Sequence, residues 1–231
     1  MALTRLDSDE RRKAIVKAAV PLFARDGFAG TTTRELAEAA GISEALLFRH
    51  FPSKQLLYRE ILHLGCEGDP ALEQLATLQP STATLVFMVR FMVRRFLQGD
   101  EAERAELDPR LRLVLHSFLE DGDYARELSE TVAGRVVPLF DASLVAAIAA
   151  GEAVSRGGAA ANRFWFAHHV AAMMAFAALP GLSCVPYEGR LDDIVDEAIF
   201  FILRGIGMTD AAIAASTEGA PHAACVLARG E

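Results

Sequence analysis

The sequence predicts an all-α protein with an N-terminal three-helix, helix-turn-helix head and a helical body. Apolar residues recur at helical spacing through every strong segment. No stretch shows the period-two alternation of a half-buried strand, and clusters of glycine, aspartate and proline fall between segments of helix length. The 231 residues are 52% hydrophobic and 23% charged, enough apolar surface to offset ordering entropy, which excludes a disordered chain.

In the first helix Ile15, Ala18, Ala19, Leu22 and Phe23 form one apolar face, and the helix ends near Gly27. Thr32 or Thr33 caps a short second helix whose Leu36, Ala37 and Ala40 face inward, and Gly41 stops it. Ser43 caps a third helix that points Leu47 and Phe51 inward and closes before Pro52. Two short helices joined by a glycine turn make a helix-turn-helix, whose second helix is narrow enough for a DNA major groove. Ser53 caps a fourth helix over 53–65, whose Leu56, Leu57, Ile61, Leu62 and Leu64 suit a connector between a head at 1–52 and a body at 53–231. In the body, helices are predicted over Ser81 to Gln98, Pro109 to Glu120, Tyr124 to about Ala150, Asn162 to Leu179 and Leu191 to Gly205. The small-residue tail 208–231 is expected to be partly disordered.

The net charge of -8 hides an asymmetry. Up to Leu64 there are ten Lys and Arg against eight Asp and Glu, and all three lysines lie there, so the head is mildly basic and the body acidic. Cys66, Cys184 and Cys225 are odd in number and widely spaced, which gives no disulfide framework or zinc spacing and suits a reducing cytoplasm. No apolar leader opens the chain, and Val170 to Leu179 is too short to cross a bilayer, so neither export nor a membrane span is expected.

The ordered run Gly27-Phe28, Thr31-Thr32-Thr33, Leu36-Ala37, Ala40-Gly41-Ile42-Ser43, Leu47-Phe48-Arg49-His50-Phe51 and Ser53-Lys54 resembles the DNA-binding domain of the tetracycline-repressor (TetR) family. That resemblance implies a dimeric regulator, most often a repressor, whose helical body binds a small molecule and thereby moves the two recognition helices out of register. By the matching positions it places Thr32, Thr33, Ser43, Phe48, His50 and Lys54 along phosphates, and Arg34, Ala45, Leu46 and Arg49 towards base edges. Hydroxyls, a helix N-terminus and a lysine suit phosphate, and arginine can pair with guanine. Three positions depart from the family pattern: Phe48 stands where tyrosine is usual, Ala45 where glycine is frequent, and Glu44 brings an anion near the groove. They bear on which operator is read.

The segments 162–179 and 191–205 are apolar nearly all round, so they are expected to pair with their copies in a homodimer, where the resemblance also puts the contact. A two-fold dimer would read a near-palindromic double-stranded operator. Phe87, Phe91, Phe96, His116, Phe118, Trp165, His169, Met173 and Phe176 offer aromatic walls with a few polar handles for a small, largely apolar effector. His168-His169 is not expected to hold a metal, because neighbouring side chains on a helix diverge by about 100°. Motifs for hydrolase, nucleotide or dehydrogenase chemistry are missing, so neither an enzyme nor a cofactor is expected. The alternative is a helical small-molecule-binding protein or enzyme that keeps the head as structure only. A protein-docking module using the exposed recognition helix is the third.

Overall fold

A computed structural model describes residues 7–66, 70–75, 77–155, 157–182 and 184–218, except the side chains of 62–66, 70, 71, 160, 217 and 218. Its eleven helices are α1 (Ser8–Gly30), α2 (Thr33–Ala39), α3 (Glu44–His50), α4 (Lys54–Cys66), α5 (Pro70–Leu75), α6 (Thr82–Leu97), α7 (Glu101–Leu119), α8 (Asp123–Ala149), α9 (Ala160–Ala177), α10 (Leu191–Gly205) and α11 (Asp210–Glu218). Among the described residues the sole β-type pairing is an isolated bridge between Ala153 and Met208. The chain divides into two compact units, 1–68 with 105–131 and 69–104 with 132–231, and α7 and α8 each run from one into the other.

In the first unit, Asp7 opens α1 by accepting the Glu10 N–H at 2.8 Å while the Glu10 carboxylate accepts the Asp7 N–H, a reciprocal cap about two turns ahead of the apolar stripe. The helical run breaks at Gly27, whose φ of 73° and ψ of 178° lie where only glycine is comfortable. Thr32 rather than Thr33 caps α2, with Glu35 completing the reciprocal pair. Ser43 caps α3 through the Leu46 N–H, and Ser53 accepts from Leu56 at the start of α4. These short helices are stable because their inner faces meet in one core: Ile15, Ala19, Phe23, Leu36, Leu47, Phe51, Leu57 and Ile61 are all nearly inaccessible. Leu113 of α7 and Tyr124 of α8 complete that core, so this unit extends past the connector helix proposed from sequence. The Leu62 and Leu64 side chains expected on that helix lie outside the described ones, as do those of Cys66 and Cys225.

In the second unit α6 packs on α9, α10 and α11, and α9 packs on α10. Its core is built from Leu85, Val89 and Val93 of α6, Phe164, Ala171 and Ala175 of α9, and Val195, Ile199 and Ile202 of α10. One expectation on helix extent is corrected. The helix predicted from Pro109 starts at Glu101 instead, because Asp100 and Glu103 cap it reciprocally at 2.9 Å and Pro109 is tolerated inside it. In the tail, α11 is ordered and buries Ala212 and Ile213; residues 219–231 lie outside the described residues. By length and composition α8 could cross a bilayer, with a mean hydropathy of 1.7 over its most apolar window, a reading that missed notice in the sequence. In the folded chain its Phe140, Ser143, Leu144 and Ala147 face is buried in protein.

Candidate nucleic-acid interface

The recognition helix α3 buries Leu47 and turns Glu44, Ala45, Phe48 and Arg49 outward, with Leu46 and His50 half-buried. Arg34 projects from the exposed side of α2, and Thr32 is exposed at its cap. The Thr33 hydroxyl donates to the Glu44 carboxylate at 2.9 Å, which ties the start of α2 to the start of α3. Glu44 is thus a brace between the two motif helices as well as an anion at a favourable helix N-terminus.

Arg12 anchors the other end of α3. Its guanidinium donates to the His50 carbonyl at 2.6 Å, pairs with Glu60 of α4 at 3.0 Å and lies 4.2 Å from the centre of the Phe51 ring. One side chain therefore satisfies a terminal carbonyl of α3 and joins α1, α3 and α4. Burial first, and then the charges of Arg49, Arg12 and Arg11, hold the His50 imidazole below its ordinary pKa. The exposed cations of the motif are Arg34 and Arg49.

Lys54 has an additional task that sequence reasoning missed. Its ammonium donates to the Phe28 carbonyl at 2.7 Å and the Thr31 carbonyl at 2.8 Å and sits 4.3 Å from the centre of the Phe28 ring. It therefore closes the carbonyls after the Gly27 break with two of its three N–H donors. Replacing Lys54 with Met should cost about 1–2 kcal/mol, the scale of charged hydrogen bonds reduced for partial exposure, read as a fall in urea midpoint. An unchanged midpoint would restrict Lys54 to a surface role.

The turn from α7 to α8 reaches the same break. The Glu120 carboxylate accepts the Ala29 N–H at 3.2 Å, and a Cβ added at Gly27 would stand 2.6 Å from that carboxylate and 2.9 Å from His116 Nδ1.

Residues 15–61 match the family profile described as bacterial regulatory proteins, tetR family. The match takes in α2, α3 and most of α1 and α4. The chain is 44% identical over 52 residues to the HTH-type transcriptional regulator RutR of Escherichia coli K12, a match covering 22% of this chain and 24% of RutR. It is 35% identical over 82 residues to the HTH-type transcriptional repressor KstR2 of Rhodococcus jostii, covering 29% of this chain and 40% of that one. The matched stretch thus spans about a quarter of RutR and two fifths of KstR2. Likeness across the body is one of fold. A tetR-family regulatory protein from Rhodococcus RHA1 superposes over 87% of this chain and 98% of its own, with a TM-score of 0.63 at 16% identity. AibR, solved with isovaleryl coenzyme A and operator DNA, covers 83% of this chain and 97% of its own at 0.59 and 17%. FadR of Bacillus subtilis, solved with stearoyl-CoA, covers 84% and 98% at 0.60 and 14%.

The side chains expected to line a ligand site are divided between the two units. His116 lies in the first unit against Gly27, and Phe118, in the same unit, is 63% exposed. Met173 is 60% exposed and His169 is exposed, because they share the outer face of α9 with Phe166. Phe87 and Phe91 stack on each other along α6, 6.0 Å apart, while Trp165 and Phe176 are half-buried on α9. The rings that do converge centre on His168, which meets Phe96 of α6 edge-on at 5.5 Å, Trp165 at 5.5 Å and Phe164 at 6.0 Å; Phe164 in turn meets Phe140 of α8. Among the buried polar atoms of α8 and α9, His168 Nδ1, Ser143 Oγ and Asp141 Oδ1 have no hydrogen-bond partner among the described residues. Burial holds the His168 imidazole down to about 4 and raises the Asp141 carboxyl. The i, i+4 spacing of Phe164 and His168 was the available signal for this face.

Proposed function

We propose that the chain is a ligand-responsive transcriptional regulator that binds a near-palindromic operator as a homodimer, represses from it, and leaves it when a small, largely apolar effector occupies the helical body. The observation that carries this reading is the head: a capped α3 with Ala45, Phe48 and Arg49 exposed, braced at its two ends by Glu44 and Arg12. On this reading Ser43, Thr32 and the remaining Lys54 proton contact phosphates, and Arg34, Ala45, Leu46 and Arg49 read base edges. The proposed partners are double-stranded DNA, an effector and a second copy, and no cofactor or catalytic step is invoked; a cytoplasmic location fits them.

The dimer reading is supported by Phe166 and Met173 on α9 and Phe200 and Phe201 on α10, all exposed in the single chain. Large apolar side chains on two neighbouring helices suit a two-fold helical interface. The effector reading is supported by the His168 ring cluster with its unpartnered Nδ1, which suits an apolar body bearing a hydrogen-bonding group. Two structures of like fold hold acyl-CoA esters, which makes an acyl chain a natural first candidate.

Selection of duplexes from a random pool, followed by titration at two salt concentrations, tests the reading. A recurrent palindrome bound with steep salt dependence is expected, and Phe201→Glu should abolish palindrome binding by separating the protomers. No enriched sequence from folded dimer would overturn it.

A further inference from the structure

We propose that the cleft between α4 and the α7–α8 turn, within the first unit, binds an organic cation: an amine carried on an apolar or aromatic body. The cleft has a volume of about 580 Å³ and is lined from both sides of that unit. Its aromatic surface comes from Phe28, Tyr58 and Tyr124, whose rings touch in sequence at 5.3 Å and 5.2 Å, and Leu56, 46% exposed, adds an apolar edge. Aromatic faces attract a cation and also accept an apolar body, so this surface selects for both parts of such a ligand.

The charge of the lining sets the sign of the ligand. Asp121, Asp123, Glu127 and Glu130 face the cleft with Arg59 and Arg126. Both arginines are already matched, Arg59 with Glu127 at 3.3 Å and Arg126 with Asp123 at 2.7 Å. That leaves the carboxylates of Asp121 and Glu130 without a cation among the described residues, in a concave place walled by aromatic rings, where their field is focused.

A second observation points to a missing ligand atom. Tyr58 is about nine-tenths buried, lines the cleft, and its hydroxyl has no hydrogen-bond partner among the described residues. Asp121 lines the same cleft, and its charge, with those of Tyr124 and Glu120, acts on the hydroxyl. Burial raises its pKa well above the ordinary tyrosine range, so it stays a neutral phenol able to accept an ammonium N–H. A buried hydroxyl without a partner is costly, and an amine seated between Tyr58 and Asp121 satisfies it.

This site stands apart from the ring cluster around His168 and does not depend on operator binding. Its consequence for the operator rests on the regulator reading: the cleft walls are α4, which carries the Lys54 brace, and the turn that carries Glu120.

Calorimetric titration of the full chain with tryptamine, neutral indole-3-ethanol and anionic indole-3-acetate at low salt tests the proposal. Tryptamine is expected to bind once per chain, roughly ten-fold or more tighter than the neutral alcohol, with the acid weakest. Glu130→Gln, Asp121→Asn and Tyr58→Phe should each weaken tryptamine several-fold, while Glu197→Gln on α10 should leave it unchanged. Equal binding of the three indoles, absence of saturable tryptamine binding, or wild-type affinity in both carboxylate variants would overturn the proposal. Glu130 is exposed, so its variant reports even where Tyr58→Phe fails to fold. Operator titration run alongside separates the two readings, because tryptamine binding without operator binding removes the regulator and keeps the site.

Discussion

Gly27→Ala should destabilise the protein by about 3–4 kcal/mol, combining the backbone penalty of a glycine-only conformation with the overlap of a misplaced methyl group. Both contributions have a visible origin. The φ of 73° and ψ of 178° are strained for any L side chain, and the new Cβ would fall 2.6 Å from the Glu120 carboxylate and 2.9 Å from His116. A double variant with Glu120→Ala separates them: removing the carboxylate relieves the overlap but leaves the backbone penalty and loses the bond to the Ala29 N–H. Urea denaturation should therefore show the double variant recovering only part of the loss. A midpoint for Gly27→Ala equal to wild type would mean that the break between α1 and α2 relaxes freely. It would then be a poor anchor for the motif helices.

The same break shows why some of the site could be read from sequence and some could not. Gly27, Thr32, Gly41, Ser43 and Pro52 are local signals, because a cap or a left-handed turn is decided by the residue and its near neighbours. Helix order and the exposed face of α3 followed from them. Lys54 matched a phosphate-contacting position, but its other acceptors, the carbonyls of Phe28 and Thr31, lie 26 and 23 residues away. Backbone carbonyls carry no sequence signature, so nothing local announces that pairing.

The body failed to disclose its pocket for a different reason. A helix apolar on every side, as α9 is, does not say which ring faces which neighbour. Phe164 is buried in the His168 cluster while Phe166, two residues on, is 68% exposed. Met173 follows Phe166 by seven residues and shares its outer face. Sorting these rings required knowing that α6 and α10 both pack on α9. His116 and Phe118 were assigned by residue type alone, although their stretch of α7 folds with the head's unit.

His168 leads to the second large expectation, a loss of stability in mild acid. Burial, reinforced by the neighbouring His169, lowers its pKa from 6.5 to about 4. Above pH about 6.5 the imidazole is neutral in both folded and unfolded chains, and its contribution is fully retained. As pH falls from about 6.5 towards 4 the unfolded chain gains a proton that the folded chain refuses, so the equilibrium moves to the unfolded side. A gap of this size corresponds to about 3 kcal/mol by the bottom of that window. The Asp141 carboxyl, raised by burial, acts in the opposite sense because the folded chain protonates it more readily. Comparing the wild type with His168→Phe isolates the histidine: phenylalanine keeps an aromatic ring against Phe96 and Trp165 and cannot titrate. Urea midpoints between pH 7 and 4 should drop steeply for the wild type and much less for the variant. Parallel curves would show that water or a ligand reaches the imidazole and solvates its charge, and the ring cluster would then be an open site rather than a closed one.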